Sequence, residues 1–300
     1  MKLVYFNDFT LGVLKNGNVV DVSEAVKDVP HMTPQELISG VIADFANLRG
    51  PIEELANKST GVPIGQLRIR APLPRPTHLV AMAVNYMEFG ARSEPAPINA
   101  FLKASSSIIG NGDTIVLPEA KANIFHHEAE LGIVIGKEAF RVKAADAYDY
   151  IFGYVNFIDG SARGLSERGS FYWGKSWDTF GPMGPCIVTA DEIKDPQNIQ
   201  IRLSVNGQLM QDFPTSDMAH NIARCVEWSS AIAPLEPGDI IATGNNHQGL
   251  SAMQDGDLIE MEIEGLEKLT VHVKDDLKRE WPRGVDQAMA DRVAGRTSTG

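Results

Sequence analysis

The chain is poor in cysteine, has no surplus of basic residues and contains no long apolar run. Its two cysteines, Cys186 and Cys225, share no zinc or redox spacing, which argues against a disulfide framework or a thiolate metal site and makes a reduced, cytoplasmic setting the expectation. Lys and Arg number 27 against 39 Asp and Glu, for a formal net charge of −12. A duplex partner needs a basic face, so no nucleic acid is expected. No apolar stretch approaches the roughly 18 to 20 residues of a membrane span, so no membrane partner is expected either. The opening MKLVYFNDFTLGVLKNGNVV lacks the apolar core and cleavage site of a secretory leader and reads as structure. Neither a G-x-S-x-G nucleophile turn nor a G-x-G-x-x-G dinucleotide fingerprint occurs, and no repeat of 20 to 50 residues is visible.

What is present is the composition of a globular enzyme: 300 residues, 43% apolar, 22% charged, with 27 glycines. LVYFNDFTLGVLKNGNVVDV reads as two strands joined at Asn16-Gly17, a dipeptide that tolerates the positive φ of a tight hairpin. Thr33-Pro34-Gln35-Glu36 suits a helix start, and apolar residues then recur helically to Leu48. Gly50-Pro51 is expected to interrupt that helix. The stretch IRAPLPRPTHL, with three prolines in five positions, reads as a connector. It divides a small N-terminal unit, residues 1–70, from a larger unit, 71–284, with 285–300 as a tail or peripheral arm. The larger unit holds many short β-like runs, such as LVAMAV, AELGIVIG, YIFGYVNFI and DLIEMEIEG, separated by Gly, Asn and Asp. That pattern predicts a β-rich sandwich or barrel rather than a doubly wound sheet.

One stretch, HHEAELGIVIG at 126–136, poses a physical problem. Along a strand, Glu128 and Glu130 share one face with Gly132 and Val134, while Ala129, Leu131, Ile133 and Ile135 fill the other. Two like charges entering a buried strand repel each other and resist the low dielectric. A third carboxylate, Asp159, ends the apolar run YIFGYVNFID. A single divalent cation shared by Glu128, Glu130 and Asp159 would solve all three problems. Such hard oxygen donors favour Mg²⁺, Mn²⁺ or Ca²⁺ over Zn²⁺. The plain alternative is that the two glutamates are exposed edge residues and Asp159 a turn former.

At this point the residues carry a resemblance. Glu-x-Glu before LGIVIGK, then GYVNFIDGSAR, GKSWDTFGPMGP, VNGQLMQDFPTSDM, LEPGDIIATG and DGDLIEMEIEGL resemble, in order, the motifs of the fumarylacetoacetate hydrolase (FAH) family. The resemblance runs from about Leu79 to Val273. It implies an α+β, β-rich fold: an FAH-type mixed β-sandwich roll behind a small N-terminal α/β domain, assembled as a homodimer. It also implies Glu128, Glu130 and Asp159 as metal ligands, with Mg²⁺ the first expectation, and a small 2-oxo acid or β-diketo acid as substrate. Lys175, in GKSWDT, matches a lysine facing that substrate. Arg163 and Thr243 are candidates for binding its acidic groups, with Tyr86 and Asn246 beside them. Arg163 could equally pair with a nearby acid.

The sequence departs from the family at the usual proton-transfer pair. Many members place a His, supported by a Glu, shortly after Asn-Tyr. Here Asn85-Tyr86 is followed by MEFGARSEP, with Phe89 at the His position and Arg92 at the Glu position. His126, His127 and His247, the last in the polar loop TGNNHQGLS, are the candidate substitutes, and Glu88 is a further one. Lys103, in FLKASSS, also falls on a family lysine and reads as a loop anchor. The expected activity is metal-dependent hydrolysis of a C–C bond in an acylpyruvate-like acid of aromatic or related catabolism. A lyase or isomerase using the same site is the alternative, and a catalytically silent metal-bearing binding protein is the third reading.

Overall fold

Asn16 and Gly17 both take positive φ, 52° and 77°, as a two-residue hairpin turn requires, and join Thr10–Lys15 to Asn18–Asp21. The computed structural model describes residues 1–165 and 169–296. The run read as one strand before that turn is two. Asn7 and Phe9, also at positive φ, fold Lys2–Phe6 back so that Leu3 faces Val13. Thr33 then caps the helix Pro34–Ala43 through a reciprocal pair: Glu36 N donates to Thr33 Oγ1 and Thr33 N donates to the Glu36 carboxylate, both at 3.2 Å. The break expected at Gly50-Pro51 falls instead at Asp44, and Phe45–Lys58 runs through Pro51. An interior proline costs about 3 kcal/mol. Burial of Ile52 and Ala56 on the next turn offsets it.

Beyond the proline-rich stretch the chain is mostly strand. Among the described residues the larger sheet holds twelve strands. Its centre runs Lys2–Phe6, Gly181–Thr189, Ile151–Ile158, Ala129–Ile135, Ile240–Ala242, Leu79–Met82. These neighbours are antiparallel except the last two, which are parallel. Because Lys2–Phe6 pairs with Gly181–Thr189, the sheet is continuous from the N-terminal residues into the larger unit. A second sheet of five strands is ordered Gln208–Pro214, Gln200–Val205, Leu258–Ile263, Leu269–Lys274, Thr114–Val116.

The alternation along Ala129–Ile135 shows how the layers stack. Ala129, Leu131, Ile133 and Ile135 pack in one core with Ile201, Leu203, Ile259, Met261 and Val271 of the second sheet. Val134 points the other way, into a core shared with Val155 and Phe157 and with Ile38, Val41 and Ile42 of the N-terminal helix. Each fully buried Val, Leu, Ile, Phe or Met among them contributes about 1.5–3 kcal/mol. Gly132 sits where a Cβ would lie 2.8 Å from Val155 Cγ1, so the strand has no room for a larger residue there. The result is the expected α+β, strand-rich class: two stacked sheets with helices over the outer face.

The C-terminal segment is a docked arm over its described part. Asp286 caps the helix Gln287–Val293, accepting from Met289 N at 3.1 Å, and Ala290 and Ala294 are buried. Gln248 Nε2 donates to Ala290 O at 3.2 Å and Arg92 Nη1 to Val293 O at 2.7 Å. The final part of the expected tail, 297–300, lies outside the described residues. No helix among the described residues is long and apolar enough to cross a membrane.

Candidate functional site

The antiparallel pairing of Ala129–Ile135 with Ile151–Ile158 sets Ala129 opposite Ile158, which brings the residues flanking the pair together. Asp159 N donates to Glu128 O at 2.9 Å, and Glu128, Glu130 and Asp159 offer oxygens that lie within 4.8 Å of one another. All three side chains are buried. Gly160 makes the tight exit possible, since a Cβ there would meet Phe180 O at 2.9 Å. At separations of up to 4.8 Å and an effective dielectric near 20, two ionised members of the trio would repel by roughly 3.5 kcal/mol or more.

Three cations oppose this repulsion. Lys175, the last residue of the short helix Phe171–Lys175, places Nζ 2.7 Å from Glu128 Oε2 and 2.6 Å from Asp159 Oδ2. Lys103 Nζ donates to Asp159 Oδ1 at 2.7 Å and also to the carbonyls of Gly160 and Lys175. The Arg163 guanidinium donates through Nη2 to Glu128 Oε1. Burial on its own would raise the Glu128 carboxyl, but Lys175, Arg163 and the more distant His247 hold it below the usual carboxylate range. Burial pushes the Lys103 ammonium down, against the pull of Asp159.

Glu130 is left out of this compensation. It accepts one hydrogen bond, from Gly244 N at 2.8 Å, and no cation pairs with it among the described residues. Burial, then the charges of Asp159 and Glu128, raise its carboxyl well above the ordinary value. A buried, under-compensated carboxylate beside two others is the environment a hard dication suits, and the all-oxygen donor set fits Mg²⁺, Mn²⁺ or Ca²⁺.

The other candidates divide by what their polar atoms already hold. Tyr86 and Thr243 are fully buried, and neither hydroxyl has a hydrogen-bond partner of ordinary geometry among the described residues. Burial raises the Tyr86 phenol well above its usual value, and the nearby Thr243 hydroxyl only partly offsets this. Arg163 is engaged with Glu128, and its Nε donates to His126 Nδ1 at 3.3 Å, so it pairs with an acid of the site itself. His126 Nε2 lies 3.0 Å from Asp286 Oδ2 but out of line for a hydrogen bond. Burial, with help from Arg163, lowers the His126 ring to about 2.

His127 and Asn246 have structural partners on every side. Gln211 Nε2 donates to Asn245 Oδ1 and Asn246 O, so its Oε1 accepts from His127 Nδ1 at 2.9 Å, leaving His127 Nε2 to accept from Ser251 Oγ at 2.8 Å. Both ring nitrogens are occupied, and burial lowers the ring to about 4. Asn246 accepts from Gln248 N at 2.9 Å and donates to Asp217 at 2.8 Å, which leaves it a loop cap rather than a free substrate contact. His247 is different: its Nδ1 meets Glu88 Oε1 at 2.8 Å, and Nε2 has no partner among the described residues.

Sequence reasoning missed two features. Lys103, read as a loop anchor, does hold the carbonyls of Gly160 and Lys175 but also enters the acidic cluster through Asp159, for which its match to a family lysine was the available signal. The pairing of Glu88 with His247, 159 positions apart, left no signal in either local stretch.

With this geometry in view, the comparisons with known proteins align. Residues 76–274 match the family model described as fumarylacetoacetate (FAA) hydrolase C-terminal. A maleylpyruvate hydrolase of Aquipseudomonas alcaligenes is 33% identical over 290 residues, covering 91% of this chain and 99% of that protein. The mitochondrial oxaloacetate tautomerase of Rattus norvegicus is 36% identical over 234 residues, covering 76% and 73%. Among solved structures, a maleylpyruvate hydrolase from Sphingobium sp. SYK-6, in complex with manganese(II) and pyruvate, superposes with a TM-score of 0.84 at 34% identity, covering 92% of this chain and 99% of that one.

Proposed function

The chain belongs to the fumarylacetoacetate hydrolase family of enzymes, and from that premise we propose that it is a divalent-metal-dependent hydrolase of an acylpyruvate-type acid, cleaving a C–C bond beside a carbonyl. The observation that carries this reading is the buried trio Glu128, Glu130 and Asp159, with Glu130 lacking a cationic partner among the described residues. These three would hold Mg²⁺ or Mn²⁺. Such a cation supplies Lewis acidity to a chelated 2-oxo acid.

The chain's own residues do the rest. Lys175, whose ammonium already bridges Glu128 and Asp159, adds positive potential where enolate charge develops. Arg163 keeps Glu128 ionised and fixed in direction. Thr243 and Tyr86 would bind the acid's carboxylate; their buried, unpartnered hydroxyls support this, because an unmade buried hydrogen bond costs about 1–3 kcal/mol and a ligand oxygen would relieve it. The substrate partner is a small 2-oxo acid, and the assembly a homodimer, which light scattering would check.

A second reading, tautomerisation of a 2-oxo diacid on the same residues, is supported by the oxaloacetate tautomerase relative and by Phe89 and Arg92 at the positions expected to carry His and Glu. Incubation of the Mn²⁺-loaded enzyme with maleylpyruvate, and separately with the enol of oxaloacetate, tests both. Release of pyruvate supports the hydrolase. Accelerated loss of enol absorbance without C–C cleavage supports the tautomerase. Inertness toward both acids at saturating metal would falsify the proposal.

A further inference from the structure

The described residues hold a buried histidine–carboxylate pair, His247 with Glu88, that the proposed function does not use. We propose that His247 and Glu88 form the proton-transfer pair of this site, with His247 taking and returning the substrate proton and Glu88 as its positioning residue. The inference rests on the 2-oxo acid reading of the acidic trio.

The pair belongs to the site by connection. His247 lies on the loop that leaves the strand Ile240–Ala242, and the start of that loop is fixed to the trio by Gly244 N on Glu130 Oε2 at 2.8 Å. The unpartnered Thr243 hydroxyl is on the same loop.

The pair is also over-determined in geometry. Glu88 is 1% exposed and accepts three hydrogen bonds: His247 Nδ1 to Oε1 at 2.8 Å, His247 N to Oε2 at 2.8 Å, and Gln248 Nε2 to Oε2 at 2.9 Å. An acceptor on Nδ1 fixes the tautomer, so the proton sits on Nδ1 and Nε2 carries the lone pair. To present Glu88 in this way the backbone adopts positive φ at Glu88 and at Phe89, 56° and 55°. Non-glycine residues resist that conformation by about 1–2 kcal/mol each. The same turn points Phe89 outward, 57% exposed, while Arg92 holds the C-terminal arm through Val293 O. Neither can supply a base. His127 has both nitrogens engaged, and His126 Nδ1 accepts from Arg163. Among the described residues His126 Nε2 also lacks a hydrogen bond, but it faces Asp286 Oδ2 at 3.0 Å, whereas His247 Nε2 is free and backed by a carboxylate on the ring's other nitrogen.

The step balances without an outside reagent. Nε2 takes a proton from the carbon next to the 2-oxo group. The C–H electron pair becomes the enolate, whose charge Lys175 faces. Return of the proton to carbon or oxygen restores the ring, with no change in oxidation state.

The test uses the full-length enzyme loaded with Mn²⁺ and pyruvate as the probe. Exchange of the pyruvate methyl protons in D₂O is followed by NMR, and metal and pyruvate binding by water-proton relaxation. H247Q is expected to lose about 10²- to 10⁴-fold in exchange rate while Mn²⁺ and pyruvate binding stay unchanged. E88Q should lose less, in kcat and not in KM. Imidazole added to H247A should restore exchange, which guards against a variant that merely packs badly. Exchange by H247Q at the wild-type rate, or binding lost in step with exchange, overturns this inference alone. A wild type that binds Mn²⁺ and pyruvate yet exchanges nothing also overturns this inference alone, whereas a wild type that binds Mn²⁺ but no pyruvate overturns it together with the 2-oxo acid reading.

Discussion

Replacing Lys175 by Met should make the stability of this protein depend on a divalent cation. Lys175 Nζ contacts Glu128 and Asp159 at 2.7 and 2.6 Å, and both carboxylates are at most 5% exposed. Removing one member of a buried ion pair typically costs about 3–5 kcal/mol, because the charges left behind are desolvated and unpaired. In a chain of 300 residues that corresponds to a fall in Tm of roughly 5–8 °C. A cation at about 100 times its Kd returns about 2.7 kcal/mol by linkage, and it does so by supplying the positive charge that the lysine removed. The variant should therefore melt well below wild type after chelator treatment and recover most of the difference in Mn²⁺. Its gain from Mn²⁺ should also exceed that of wild type. Differential scanning calorimetry with and without Mn²⁺ measures both quantities. An equal deficit with and without metal, or no deficit at all, would refute the reasoning that Lys175 and a dication answer the same charges.

Three further outcomes are expected. The folded chain keeps His126 and His127 neutral, at about 2 and about 4 against 6.5 for a free imidazole, so the unfolded chain takes up protons first. Their contribution to stability is complete above pH 6.5 and is lost as pH falls toward 4, by up to about 1.4 kcal/mol per unit for each ring. H127Q should flatten that slope by about half in melts over this range, and an unchanged slope contradicts the assignment. G160A would press its Cβ on Phe180 O at 2.9 Å and displace the neighbouring Asp159, so Mn²⁺ affinity should fall about 10- to 100-fold by calorimetric titration. T243V deletes a buried hydroxyl that bonds nothing among the described residues. Metal-free stability should hold or rise while KM for the 2-oxo acid rises about tenfold, the worth of one hydrogen bond to a charged group.

Much of this architecture could be read in the sequence because it follows simple periods. The alternation from Ala129 to Ile135 sends successive side chains into two cores, and the carboxylates that break the apolar runs do meet in space. What escaped depends on long-range register. Lys103 reaches Asp159 across 56 positions, and Glu88 reaches His247 across 159, through a turn in which Glu88 and Phe89, residues without a turn signature, take positive φ ahead of Gly90. His127 and Asn246 looked reactive by residue type, yet Gln211, Ser251, Gln248 and Asp217 occupy their polar atoms. The helix break moved from Gly50-Pro51 to Asp44 because burial of Ile52 and Ala56 outweighed local propensity. The C-terminal arm docks through two small alanines and backbone carbonyls, features with almost no signature in composition.

The central claim is that Glu128, Glu130 and Asp159 hold a divalent cation to which a 2-oxo acid binds. Titration of Mn²⁺ into the chelator-treated chain, followed by electron paramagnetic resonance, tests it most directly. Wild type should bind a single Mn²⁺ and change its spectrum when pyruvate is added, whereas E130A should bind none. E130A that binds Mn²⁺ as wild type does, with the same response to pyruvate, would contradict the account.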